Sequence, residues 1–357
     1  MEFPLGHRLR ELPGPLLLTG HTGFKGTWMT FLLEHLNVPV VGYSLPAGKD
    51  SLYDRAERAG AIPEACEDIR DYQTLEEFIE LHKPSTVIHM AAQPLVLQSY
   101  ENPRETFDVN VMGTVNLLDI AFKKDFVEAI IVVTTDKVYR NDNSGRAFIE
   151  IDPLEGKDPY SASKVGAESV VAAWQQIARV SGGPRVAAVR AGNVIGGGDF
   201  AENRIIPDLI RGVITGIPVE IRNIESTRPW QHVLDASLGY LMLLEALCLG
   251  RSITSLNFAP NNLDISVGEI ARIAKSYFPG LVTINSTADT SINGLEAKSL
   301  ALNSEFARET LNWESIWDQR DAVNLTFSWW SDYFKNNLNA RERCAIDIEK
   351  YLRHINS

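Results

Sequence analysis

Two short stretches hold residue types that could move protons. In Tyr160-Ser161-Ala162-Ser163-Lys164 a tyrosine and a lysine stand four residues apart, so on a helix they share one face. A free phenol titrates near ~10 and is a poor base at neutral pH. A neighbouring ammonium favours the phenolate and lowers that value. The pair reads as a base built from tyrosine, and the lysine can also reach a ribose hydroxyl. Thr134-Thr135-Asp136-Lys137 supplies two hydroxyls and two opposite charges in one turn. A hydroxyl there can hold a substrate oxygen and share its proton with Tyr160. Either stretch alone is common on protein surfaces, so their position decides their meaning.

A third stretch fits a phosphate. The apolar run Pro15–Leu18 ends at Thr19-Gly20-His21-Thr22-Gly23-Phe24-Lys25-Gly26, with glycines at three-residue spacing. Gly20 permits a tight turn, Gly23 lets the backbone approach a pyrophosphate, and Gly26 lets the next helix pack closely. The N–H groups and positive dipole end of that helix would then face the phosphate charge.

The elements that must position these residues alternate. Expected strands are Leu16–Thr19, Val38–Tyr43, a short one in Ala61–Ile69, Thr86–Met90, Ala129–Thr134 and Arg185–Ala191. Between them lie helical patterns at Phe24–Leu36, Ser51–Ala59, Tyr72–His82, Pro94–Lys124 and Tyr160–Val180. Short apolar strands alternating with helices mean a parallel sheet covered on both faces. The fold expected is α/β, a Rossmann-type doubly wound parallel sheet, with a smaller mixed α/β C-terminal substrate lobe. The first portion covers residues 1–192 and the second 193–357, interleaved as one unit. In the second, expected elements are a helix at Arg204–Thr215, a strand at Val219–Arg222, a helix at Val233–Cys248 and a strand at Ser255–Ala259. Ligands of such sheets bind beyond the carboxyl ends of the strands, where Gly20–Gly26, Ser44, Asp68, Ala91–Gln93, Thr134–Lys137 and Gly192–Asn193 would all converge. The run Gly196–Gly198 opens no helix and reads as a mobile wall of a pocket. Trp230 and His232 read equally as core or ligand.

Composition narrows the classes. The chain has 357 residues, 45% hydrophobic and 22% charged, with a net charge of −12, which suits a globular protein and argues against a nucleic-acid surface. No apolar run approaches the ~20 residues of a membrane span, and Met1–Pro15 has no signal-peptide core. Cys66, Cys248 and Cys344 have neither metal-ligand nor disulfide spacing. A reducing cytoplasm and no metal are the expectation.

These stretches resemble the extended short-chain dehydrogenase/reductase superfamily, through Thr-Gly-x-x-Gly-Phe-x-Gly, Thr-Asp-x-Val-Tyr at Thr135–Tyr139, and Tyr-x-x-x-Lys. More narrowly, they resemble nucleotide-sugar 4,6-dehydratases. Gly20–Gly26, His89–Pro94, Arg190–Asp199 and Thr227–Val233 are similar to the CDP-glucose branch in particular. The resemblance spans about residue 14 to at least residue 260.

It implies that bound NAD takes a hydride from the sugar C4 and returns it to C6. Tyr160, with Thr135 and Lys164, would take the C4 hydroxyl proton. Asp136 matches the acid for the leaving C6 hydroxyl. Lys137 stands where dTDP-glucose dehydratases carry a glutamate acting at C5, and could be the base there or orient a water. Gly20, Thr22, Gly23, Phe24, Lys25, Gly26, Asp68, Ile69, Ala91, Ala92, Gln93, Asn110 and Thr134 would hold the cofactor with Tyr160 and Lys164. Gln93, Asn193, Arg204, Pro207 and Arg228 match substrate positions. The usual acid after the second strand is missing from Gly42-Tyr43-Ser44, and with Lys25 nearby NADP stays open. A 4-epimerase, a dehydratase of another nucleotide hexose, and a non-catalytic NAD(P)-binding regulator are the alternatives. Relatives imply a homodimer, with Pro94–Lys124 and Tyr160–Val180 pairing as a four-helix bundle.

Overall fold

The computed structural model describes residues 5–142, 144–221, 224–260, 265–285, 300–336 and 338–355. Seven strands form the central sheet: β1 Leu16–Thr19, β2 Val40–Ser44, β3 Glu64–Cys66, β4 Thr86–His89, β5 Ala129–Val133, β6 Arg185–Ala191 and β7 Ser255–Phe258. Their order is β3-β2-β1-β4-β5-β6-β7, and every pairing is parallel. The order reverses between β1 and β4, which opens a crevice at their carboxyl ends.

Alternation along the strands feeds two cores. Leu16 and Leu18 face one, with Ile131, Val133 and the helices Phe24–His35 and Val233–Cys248. Leu17 faces the other, with Ile130, Val132 and the helices Tyr72–His82 and Gly113–Phe122. Both faces are apolar, so the strands are continuous apolar runs, as a sheet covered twice requires. β7 comes from residues 255–258, so the sheet draws on both sides of residue 192.

Local chemistry sets the helix ends. Asp71 caps Tyr72–His82 by accepting from Thr74 N, and Lys83 ends it in the left-handed region. Asp158 and Ser161 form a capping box at Pro159–Ser181, with Pro159 in its first turn. The expected helix Pro94–Lys124 is broken into Val96–Glu101, Pro103–Phe107, a wide turn Asp108–Met112, and Gly113–Phe122. Pro103 has no N–H to donate and pushes Asn102 out of helical geometry. Ser51–Ala59 forms helix only at Leu52–Arg55, and Val219–Arg222 forms as Val219–Ile221, Arg222 lying outside the described residues. Three two-stranded pairs link distant segments: Asn193–Ile195 with Trp230–His232, Val219–Ile221 with Thr283–Asn285, and Ala147–Phe148 with Ala301–Leu302. Among the described residues no helix is long and apolar enough to cross a membrane.

Candidate active site

The glycine loop closes against the end of β4. Gly20 has φ +73°, and a Cβ there would stand 2.7 Å from Ala91 N. Gly26 would drive a Cβ to 2.2 Å from Gly20 O, so the helix start lies directly on the turn. At Gly23 a Cβ would meet only Gly20 O at 3.3 Å, which leaves room over that backbone. Helix Phe24–His35 has neither a side-chain cap nor an acid in its first turn. An uncapped helix start beside an open glycine suits the diphosphate of a dinucleotide. Thr22 Oγ1 bonds Ser44 Oγ at 2.8 Å and donates to Leu45 O at 2.9 Å, tying the loop to the end of β2.

Lys25 projects into the same crevice with its ammonium 5.9 Å from the Tyr240 ring centre. Burial and the charges of Lys164 and Arg204 push it down to about 7.

The residues expected to handle protons meet where β5 ends. Thr135 starts the tight turn Asp136–Val138. Its hydroxyl donates to Asp136 Oδ1 at 2.9 Å, and Lys137 Nζ donates to the same oxygen at 2.9 Å. Asp136 is fully buried, and its Oδ2 has no partner. The Thr135 hydroxyl lies close enough to the Tyr160 phenol to favour its charged form against burial. The N–H of Tyr160 is fixed by Ser99 Oγ at 3.1 Å.

Electrostatics here depart from the sequence expectation in one respect. Burial raises the Tyr160 pKa, and the cation that chiefly opposes this is Lys137, where Lys164 was expected. Lys164 donates to Val133 O at 3.1 Å, and burial pulls it down to about 8. Lys137 is raised: burial disfavours its charge, but Asp136 and Tyr160 outweigh that. Its resting form is therefore the ammonium. Arg204 acts on Tyr160 and Lys25, and Arg228 on Lys137, which brings both expected arginines to the cluster. Arg204 also pairs with Asp199 at 3.4 Å, and Arg228 donates to Ser226 Oγ at 2.7 Å.

Other expected residues act as supports. Asn110 accepts from Gln93 N at 2.8 Å and donates to Ser163 Oγ at 2.8 Å, coupling the loop after β4 to the helix of Tyr160. Gln93 is held by Leu95 and Thr106. Thr134 donates to Glu168 Oε1 at 2.6 Å, beneath the crevice. Asp68 is gripped by the Arg70 guanidinium, which holds its carboxyl below the usual range. Ile69 is buried against Gly113. Ala92 and Asn193 are half-buried, and Pro207 is buried in helix Ile205–Thr215.

One open reading resolves and one expectation is corrected. His232 is core: it is fully buried, faced edge-on by Trp28 and Trp317, and pushed down to about 3 by burial. Gly196–Gly198 is a packed wall where a mobile one was expected. A Cβ at Gly197 would lie 2.0 Å from Trp329 Cγ, and Trp28 Nε1 donates to Gly197 O at 2.9 Å.

Sequence reasoning missed a buried brace. Arg190 grips Glu168 at two points and donates to Tyr139 OH at 2.7 Å, which donates to Asn257 Oδ1 at 2.7 Å. It joins the helix of Tyr160 to the chain leaving the turn Asp136–Val138. Glu168 stands four residues after Lys164 on the same helix face, a spacing that could have found it.

A doubly wound sheet with a glycine cradle at its crevice and a tyrosine, a lysine and a Thr-Asp-Lys turn beside it defines a dinucleotide-dependent class. The chain belongs to the NAD dependent epimerase/dehydratase family, which it matches over residues 16–257. It is 36% identical over 327 residues to the CDP-glucose 4,6-dehydratase of Salmonella typhimurium, covering 88% of this chain and 89% of that one. It is 29% identical over 245 residues to the dTDP-glucose 4,6-dehydratase of Haemophilus influenzae, covering 64% and 70%. Among solved structures it resembles a UDP-glucose 4-epimerase from Stenotrophomonas maltophila with bound NAD and formylated UDP-arabinopyranose. There the TM-score is 0.77 at 19% identity, covering 91% of this chain and 100% of that one.

Proposed function

We propose that this chain is an NAD-dependent 4,6-dehydratase of a nucleotide hexose, with CDP-glucose the substrate that its 36%-identical relative favours. The observation that carries this reading is the Asp136–Lys137 pair facing Tyr160. C4 oxidation needs one base, but water loss across C5 and C6 needs an acid and a second base. An epimerase has no use for that second pair.

The bound nicotinamide would supply one thing, a place for the hydride between its departure from C4 and its arrival at C6. Gly20–Gly26 would cradle its diphosphate with Thr22, Phe24 and Lys25 beside it. Asp68, Ile69, Ala91, Ala92 and Gln93, braced by Asn110 and Thr134, would line the rest. Thr22 and Ser44 stand where the ribose diol would come, and Lys164 can turn from Val133 to a ribose hydroxyl. Arg204 and Arg228 suit the substrate diphosphate, since guanidinium binds phosphate oxygens at two points. Asn193, Pro207 and Gln93 would flank the sugar.

Tyr160 takes the C4 hydroxyl proton, and the Thr135 hydroxyl turns from Asp136 to donate to the phenolate. A proton shift across the 2.9 Å Lys137–Asp136 contact turns ammonium and carboxylate into amine and acid. In that form Lys137 removes the C5 proton and Asp136 protonates the leaving C6 hydroxyl. Lys137 later returns its proton to C5. The product is the 4-keto-6-deoxy sugar nucleotide.

Exposed Tyr100 on Val96–Glu101, Phe107 on Pro103–Phe107 and Met112 on the wide turn Asp108–Met112, and Ile177 and Val180 on Pro159–Ser181, support a homodimer through these helices. The test of activity is incubation with CDP-glucose and detection of the 4-keto sugar by its absorbance in alkali. No product from CDP-, dTDP-, UDP- or GDP-hexoses would overturn the reading. Asp136→Asn should leave C4 oxidation intact while slowing water loss, and equal loss of both would remove Asp136 from the acid role.

A further inference from the structure

Behind the crevice, the last residues of β1 and β4 stand opposite each other, Thr19 beside His89. Both side chains are buried, and so are Thr114 and Asn110, none of the four more than 2% exposed. Thr19 Oγ1 and His89 Nδ1 are 2.7 Å apart, and His89 Nε2 and Thr114 Oγ1 are 3.1 Å apart. A neutral imidazole carries a proton on one nitrogen and offers the other as an acceptor; a charged one carries a proton on both. The partners at the two ends of His89 decide which form it takes.

At one end, Thr19 Oγ1 receives the N–H groups of Met90 and Ala91, each at 3.1 Å. An N–H only donates, so the hydrogen of the Thr19 hydroxyl goes to Nδ1, and Nδ1 is bare. At the other end, Thr114 Oγ1 lies 2.8 Å from the Asn110 carbonyl. A carbonyl only accepts, so the hydrogen of Thr114 goes there, and Nε2 must donate to Thr114. Both ends demand the same neutral ring, with its proton on Nε2. Burial acts in the same direction and pushes the pKa of His89 down to about 3. The bonds continue past Asn110. Its side chain accepts from Gln93 N at 2.8 Å and donates to Gln93 O at 3.1 Å and to Ser163 Oγ at 2.8 Å. Ser163 Oγ in turn donates to Tyr160 O at 2.7 Å. A line of buried bonds thus runs from the residue before Gly20 to the backbone of Tyr160. Its donors all point the same way, and bonds aligned in this manner polarise one another.

We propose that His89, as a neutral ring protonated on Nε2 alone, is a positioning residue that keeps the cofactor side of the crevice and Tyr160 in one register. This rests on the reading of the glycine loop as a cofactor cradle and of Tyr160 as the base at C4. Hydride and proton leave C4 in one step, so the nicotinamide and the phenol must stand at a fixed spacing. Thr19 and Ala91 set one end of that spacing, directly behind the Gly20 turn. Asn110 and Ser163 set the other, through the carbonyl of Tyr160. His89 is the link between the two ends. A proton on Nδ1 would face the Thr19 hydroxyl with a third donor, leave its hydrogen without an acceptor, and free one side from the other.

Two measurements test this. The first uses the unaltered protein and no substrate. With the histidine nitrogens isotope-labelled for magnetic resonance, and His89→Gln marking which signals belong to His89, Nε2 should carry a proton and Nδ1 none. That pattern should hold as the pH falls through the ~6.5 of a free imidazole. A proton on Nδ1, in a neutral or a charged ring, would overturn the proposal. The second compares Thr114→Val, which keeps the shape but cuts the line after His89, with Thr114→Ser, which keeps the hydroxyl. On addition of nucleotide hexose, Thr114→Val should reduce nicotinamide several-fold more slowly per bound cofactor, seen by its absorbance, with a smaller change in NAD affinity. Thr114→Ser should recover the parent rate. If Thr114→Val lowers Tm or NAD affinity but keeps the rate per bound cofactor, the line serves the fold or the loop alone and the register role fails. A parent that reduces no NAD with any nucleotide hexose would sink the reading of the site and the role of His89 together, whereas an active parent with unaffected variants sinks only the role.

Discussion

Glu168 and Arg190 form a buried two-point ion pair, Nε to Oε1 and the terminal nitrogen to Oε2, both at 2.8 Å. Removing one partner leaves the other charged in an apolar setting, a loss of about 3–5 kcal/mol for such pairs. Arg190→Met should therefore lower stability by about that much in urea unfolding. Arg190→Met combined with Glu168→Leu should recover a large part of the loss. If the double replacement costs the sum of the singles, the pair is not coupled as its geometry implies.

Lys164 gives the pH dependence its sign. Burial has drawn it down to about 8, so it is a cation below that pH and neutral above. In the proposed role, Lys164 holds a ribose hydroxyl of the cofactor as the cation. The rate should fall as pH rises through about 8. In Lys164→Arg the side chain stays charged to above ~12, so whatever activity survives should keep its rate past that point. A basic limb that stays put in Lys164→Arg would assign it to another group.

Gly197 has no space for a methyl group, since its Cβ would fall 2.0 Å from Trp329 Cγ. Gly197→Ala should cost about 1–3 kcal/mol, the usual penalty of overpacking, seen as a lower Tm. Gly48, with nothing within 4 Å of a built Cβ and no positive φ, is the control: Gly48→Ala should stay within about 0.5 kcal/mol.

Phe107 is 41% exposed on the helical run before the wide turn. If that run meets its copy across a two-fold axis, Phe107→Asp should halve the mass measured by light scattering and leave the circular dichroism unchanged. A parent protein that is already monomeric would remove the four-helix arrangement.

What could be read from the sequence was whatever repeats with a short period. β1, β6 and Tyr72–His82 follow from apolar runs, helical spacing and caps, and the parallel sheet follows from their alternation. The turn Thr135–Lys137 and Tyr160 were legible because a parallel sheet puts its ligand at one edge. The brace was not. Arg190, Tyr139 and Asn257 come from three separate segments, and only the folded sheet brings them together. The short pair of Asn193–Ile195 with Trp230–His232 was hidden for the same reason, because three residues carry too little pattern. Gly196–Gly198 misled in another way: glycine permits motion but equally permits close approach, and Trp329 and Trp28 decide for the second.

β7 also has a consequence for how the chain is made. Its four residues cover the outer edge of β6, and they lie 64 positions beyond the end of β6 at Ala191. While a ribosome is still working through that interval, β6 stands at the rim of the growing sheet with its backbone N–H and C=O groups unpaired. Its sequence, Val-Ala-Ala-Val after Arg185, carries no charge until Arg190, and Arg190 is the residue that the brace later buries. A bare apolar rim of this kind pairs readily with other chains. The newborn protein is thus most exposed to aggregation between the emergence of Ala191 and that of Phe258, and a fragment cut in that span keeps the hazard permanently.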